Sequence, residues 1–180
     1  MKEKYIAFLR GINVGGHHKV PMATLRKEME HLDCEQVVTI LNTGNILFDA
    51  VITDLAVFEE KIAAHLAQVF GFPIPTILMK AKKLQALFDA APFKHIEVTK
   101  EIRLYVSFLW KEVNIDLSLP WKSEDGAYQI LTKEGKVITS VLDLSVSKTT
   151  KAMDALERFY GKGITTRNWN TLKRIEKKLS

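Results

Sequence analysis

Hydrophobic and polar residues along this chain switch between two periods, and the switches mark out the elements. Tyr5 to Leu9 is a continuous apolar run, the pattern of a strand buried on both faces. A glycine-rich stretch follows. From Pro21 the period becomes helical, with Met22, Leu25, Met29 and Leu32 on one stripe, and a proline in the first turn suits that start. Val37 to Leu41 and Ile46 to Val51 are strand-like. Asn42, Thr43, Gly44 and Asn45 between them have the composition of a hairpin turn, so the two strands are expected to pair antiparallel. Asp54 is placed to cap a second helix reaching about Phe70, which buries Leu55, Phe58, Ile62, Leu66 and Val69 and stops at Gly71. Pro73 to Met79 reads as a further strand.

This order, β-α-β-β-α-β, is that of the ferredoxin-like split βαβ unit. The remainder reads as a less regular second copy. A helix near Ala81 to Ala90 is followed by strands at Ile102 to Leu109, Ala127 to Leu131 and Val137 to Val141, the last two joined by a turn at Glu134 and Gly135. Val113 to Leu119 is expected as a short helix, Ile164 to Thr166 as a short strand, and Thr149 to Tyr160 and Asn168 to Leu179 as helices. The fold class expected is therefore α+β. Two ferredoxin-like subdomains with antiparallel sheets, residues 1–80 and 81–180 with a C-terminal helix, pack together without a low-complexity linker.

Composition narrows the setting. With 180 residues, 47% apolar, the chain is long enough to bury a sizeable core. No apolar run approaches the roughly 18 residues of a bilayer span, and the charged N-terminus lacks the pattern of a signal peptide, so the cytoplasm is the expected compartment. Cys34 is the single cysteine, which excludes an intrachain disulfide and a thiolate metal cluster. Folding is expected to need neither metal nor disulfide. The net charge of +5 is uneven: residues 1–79 carry 7 Lys and Arg against 9 Asp and Glu, a balance of −2, and residues 80–180 carry +7. Basic groups at Lys80, Lys82 and Lys83 and at Arg167, Lys173, Arg174, Lys177 and Lys178 suit phosphate or an acidic partner, but most such faces serve solubility.

Four segments carry a resemblance: LRGINVGG (Leu9 to Gly16), VPMATLR (Val20 to Arg26), LNTGNILF (Leu41 to Phe48) and TTRNWNTL (Thr165 to Leu172). With them the chain resembles the bacterial family called domain of unknown function 1697. The likeness extends to FPIP at Phe72 to Pro75 and to the Pro92–Phe93 pair. It implies two ferredoxin-like subdomains and no established activity, cofactor or substrate. Thr43 stands where the family pattern more often has Ser, a swap that keeps the hydroxyl.

Candidate chemistry is sparse. Gly11 and Gly16 have the spacing of a P-loop, but His17 and His18 stand where that motif needs Lys and Ser or Thr, so a flexible connection is the better account. Adjacent histidines on a loop rarely converge on one metal, and no His or Cys array supports them; no metal or cofactor is assigned. Cys34 reads as a bystander thiol. There is no Gly-x-Ser-x-Gly elbow or paired-carboxylate motif, and whether the chain is an enzyme is left open. RNA binding is weakened because Asn45 to Asp49 lacks the Gly-aromatic signature of an RNA-recognition strand, although the sequence pI is about 9.2.

What remains is an excess of Asn, Thr and Arg in loops. In a split βαβ unit the end of the first strand lies beside the start of the third, so Arg10 and Asn13 are expected near Asn42, Thr43 and Asn45, with the amides of Gly15 and Gly16 approachable. Arg167 and Asn168 complete the candidate set for a small anionic ligand, with turn and cap chemistry as the structural alternative. A small-molecule or anion-binding protein is thus ranked ahead of a nucleic-acid or protein interaction module; the partner is otherwise unknown.

Overall fold

The computed structural model describes residues 1–147 and 149–179. It divides into two compact units, Met1–Asp89 with Lys177–Ser180, and Ala90–Glu176. Among the described residues there are two antiparallel sheets and five helices.

The first unit runs β1 (Glu3–Leu9), α1 (Met22–Glu30), β2 (Glu35–Ile40), β3 (Asn45–Ala50), α2 (Leu55–Phe70), β4 (Thr76–Lys80) and α3 (Ala81–Asp89), with strand order β2-β3-β1-β4. Alternation along β1 puts Tyr5, Ala7 and Leu9 on one face, where they pack with Ile46 and Phe48 of β3, Leu25 and Met29 of α1, and Ile62 and Leu66 of α2. The Tyr5 and Phe48 rings, opposite each other in the register, stack with centroids 5.9 Å apart. Each leucine, isoleucine, methionine or phenylalanine of this set, fully buried, contributes about 1.5–3 kcal/mol. α2 is bounded as its sequence predicts. Asp54 Oδ1 accepts from the N–H groups of Ala56 and Val57 at 2.9 and 3.1 Å, and Gly71 closes the helix in the left-handed region at φ 79°.

Where β1 meets β4 and α3, the Glu3 carboxylate accepts hydrogen bonds from the ammonium groups of Lys80 and Lys82. Those bonds hold its carboxyl down to about 2, against an ordinary 4.5. The folded value lies below the unfolded one, so the stabilisation is complete above about pH 4.5 and disappears as pH falls toward about 2. Glu3→Gln is expected to flatten the stability curve in that window, measured by urea melts across pH. An unchanged acid limb would show that the pairs contribute nothing.

The second unit runs β5 (Ile102–Leu109), β6 (Trp121–Lys122), β7 (Tyr128–Glu134), β8 (Val137–Asp143), α4 (Thr149–Tyr160), β9 (Ile164–Asn168) and α5 (Trp169–Glu176), with strand order β6-β7-β8-β5-β9. Leu109, Tyr128, Ile130, Ile138 and Leu142 pack with Ala152, Leu156 and Tyr160 of α4. The short helix expected over Val113 to Leu119 does not form, and residues 112–118 belong to no helix or strand. Val113, Ile115 and Leu117 alternate with exposed Asn114, Asp116 and Ser118, so an extended chain lays all three apolar residues against this core. A helix would point them in different directions. Among the described residues, no helix is long and apolar enough to cross a membrane.

Candidate functional site

The first unit brings the expected loop residues together. Leu9 N–H donates to Gly44 O at 2.8 Å, which seats the end of β1 on the β2–β3 turn. Asn13, in the left-handed region at φ 53°, spends its amide on the backbone: Nδ2 donates to Val20 O at 3.0 Å and Asn42 O at 2.8 Å, and Oδ1 accepts from Val20 N–H at 2.8 Å. Asn45 is buried, and its Nδ2 closes the turn on Ile40 O and Thr43 Oγ1, both at 3.0 Å. The Arg10 N–H donates to Pro75 O at 2.9 Å, and the residue is half-buried. Gly15 and Gly16 form the exposed tip of the loop at φ 59° and 79°. Next to them the His18 ring stacks on Phe72 with centroids 4.3 Å apart, a packing role for one of the paired histidines.

Arg167 and Asn168 belong to the second unit. Arg167 lies on β9 opposite Val106, buried, and its guanidinium donates to Thr165 Oγ1 at 2.8 Å and Thr166 O at 3.0 Å; burial pulls its pKa down to about 10. Asn168 Oδ1 accepts from Asn170 N–H at 2.9 Å at the start of α5. Cys34 is buried, and that burial pushes its thiol up to about 12, well away from a reactive thiolate.

A concave site lies elsewhere, in the second unit. A cleft of about 750 Å³ opens between the β6–β7 hairpin and α4, walled by Trp121 and Phe159, whose rings lie edge to face with centroids 4.9 Å apart. The hairpin is stiffened from within. Ser123 Oγ donates to Asp125 Oδ1 at 2.7 Å and accepts from Tyr128 N–H at 3.0 Å, while Asp125 Oδ1 also takes Ala127 N–H at 3.1 Å. Those bonds, Ser123 first, hold the Asp125 carboxyl below its ordinary value. Around the rim stand Lys122, Lys151 and Arg158 against Glu124, Asp125 and Asp154, and Arg158 lies over the Phe159 ring at 5.2 Å.

Two residues of the cleft wall, Tyr128 and Ser147, carry buried hydroxyls with no hydrogen-bond partner among the described residues; Ser140 and Tyr160 carry two more. Burial drives the Tyr128 phenol well above its ordinary pKa, and Ser140 draws it back only partly, without reaching hydrogen-bond geometry. Nothing in residues 121–128 read alone signals this site, because its opposite wall is drawn from residues 147–159. A second grouping that the sequence does not announce is Glu28, His31 and His65, whose ligand-type atoms lie within 4.8 Å of one another. Its signal is half visible, since Glu28 and His31 sit three apart in and just beyond one helix.

No curated protein matches the chain. The structure of conserved bacterial protein SP0830 from Streptococcus pneumoniae shares the fold, with a TM-score of 0.71 at 24% identity over 100% of both chains. A family profile described as "Protein of unknown function (DUF1697)" matches residues 1–138, and it brings no reaction, cofactor or substrate with it. On a match that covers most of its length, the chain belongs to the DUF1697 family.

Proposed function

We propose that this protein binds a small molecule in the cleft between the β6–β7 hairpin and α4. The observation that carries the reading is the cleft itself, about 750 Å³, walled by the Trp121 and Phe159 rings and lined by Lys122, Lys151 and Arg158 against Glu124, Asp125 and Asp154. Small-molecule sites occupy roughly 300–1,000 Å³. The balanced rim charges and the two aromatic walls suit a polar, net-neutral or zwitterionic molecule with one flat apolar part. We also read both units as ferredoxin-like, a reading supported by the recurrence of one strand order, β2-β3-β1-β4 and β7-β8-β5-β9.

Arg158→Ala tests the site. Removing this exposed cation leaves the unliganded protein nearly as stable in thermal melts, and it weakens binding of a ligand whose anionic group meets the guanidinium by about tenfold, the worth of one charge-assisted hydrogen bond. A variant that binds as tightly as wild type removes the support.

A second reading places a small anion at Arg10 and the glycine loop. It is supported by open space beside Gly11 and Gly16, where a Cβ would meet nothing within 4 Å. On this reading Asn13 and Asn45 hold the loops, and Arg10 with the loop amides holds the ligand. Phosphate binding lost in Arg10→Ala and kept in Arg158→Ala favours this site over the cleft.

A further inference from the structure

We propose that Glu28, His31 and His65 form a binding site for a divalent transition-metal ion, with Zn²⁺ the ion their donor set fits best. The site belongs to the first unit and is independent of the cleft. Glu28 lies in the last turn of α1, and His31 caps that helix with helical backbone angles, so the two side chains share one face a turn apart. α2 supplies His65 from its C-terminal half. Glu28 Oε2 is 2.8 Å from His65 Nε2 and 3.3 Å from His31 Nδ1.

A tetrahedral ion bound at about 2.0–2.1 Å sets its ligand atoms about 3.3 Å apart. The Glu28–His31 spacing already matches, the Glu28–His65 spacing has to open by about 0.5 Å as an ion takes over from the bridging proton, and the two imidazole nitrogens, within 4.8 Å of each other, are brought to the same separation by rotation of the exposed His31 side chain. Two imidazoles and one carboxylate form a mixed nitrogen and oxygen set. It suits Zn²⁺ and its neighbours, whereas Mg²⁺ and Ca²⁺ require oxygen alone. Partial negative charge at the C-terminal end of α1 adds to the attraction. Side-chain exposures of 67% for His31, 28% for His65 and 17% for Glu28 give a hydrated ion a route in, and they leave its remaining position open to water.

The test is a calorimetric titration of the intact, chelator-treated chain with Zn²⁺, alongside the visible absorption of the Co²⁺ form. One ion per chain, a Co²⁺ spectrum of low coordination number and no response to Mg²⁺ are expected. Glu28→Gln, His31→Ala and His65→Ala should each lower Zn²⁺ affinity by roughly 100-fold or more, because even partners that only orient a ligand are worth about 10–100-fold. His95→Ala, an exposed histidine of the second unit, should leave it unchanged. His31→Ala removes a mostly exposed side chain, so it keeps the test valid if a variant at His65 fails to fold. Absence of saturable Zn²⁺ binding, or equal affinity in wild type and the three variants, overturns the proposal.

Discussion

Gly44→Ala is expected to lower stability by about 3 kcal/mol or more, the largest loss from any glycine-to-alanine change in the first unit. Two effects combine. At φ 79° any residue with a Cβ is strained, by about 1–2 kcal/mol. The new methyl would also lie 2.7 Å from Leu9 Cβ and 3.2 Å from both Ile12 Cδ1 and Leu9 O. Leu9 cannot retreat, because its N–H is bonded to Gly44 O and its side chain is in the core. Overpacking of this kind adds about 1–3 kcal/mol. Gly11→Ala is the control. It shares the positive φ, at 75°, but meets nothing within 4 Å, so only the conformational cost of about 1–2 kcal/mol remains. Equal urea midpoints for the two variants would mean that the turn moves freely away from β1.

Glu59→Ala is the second, with an expected loss of about 3 kcal/mol. β4 is an edge strand, paired with β1 on one side only. From α2, the buried Glu59 carboxylate takes the Leu78 N–H of that edge at 2.7 Å, supplying the acceptor that a further strand would otherwise provide. A hydrogen bond is worth about 0.5–1.5 kcal/mol net, and its loss leaves a buried donor unsatisfied at a cost of about 1–3 kcal/mol. Glu59→Gln keeps an acceptor oxygen in the same place, so it should cost clearly less in the same denaturant melts. A Gln variant as damaged as the Ala variant would place the contribution in the charge instead of the edge contact.

Much of the first unit is legible in the sequence because its punctuation is chemical. Asp54 and Gly71 bound α2 by cap geometry, and Asn42 to Asn45 mark a turn whose own side chains close it. The second unit is harder. Val113, Ile115 and Leu117 recur every second residue, an extended pattern that a short apolar stretch hides when only its length is considered. The two-residue β6 is too short to carry any period, and its pairing with Gln129 and Ile130 is settled by the turn at Ser123 to Gly126. Asn13 and Asn45 are recognisable as neighbours of the β1 end, but all but one of the partners of their amides are backbone groups, which no side-chain inventory reveals. The cleft and the Glu28, His31 and His65 grouping both need elements distant in sequence to meet at a particular rotation about a helix axis. Local pattern carries no information about that rotation.

If the cleft of the second unit holds a small molecule, native mass spectrometry of the protein as purified should show it. Wild type is expected to include a population heavier than the bare chain by the mass of one small organic molecule, and Arg158→Ala to be depleted in it. Wild type found only at the mass of the bare chain, with no shift in melting temperature across a panel of small zwitterionic metabolites, would rule the cleft out as a binding site.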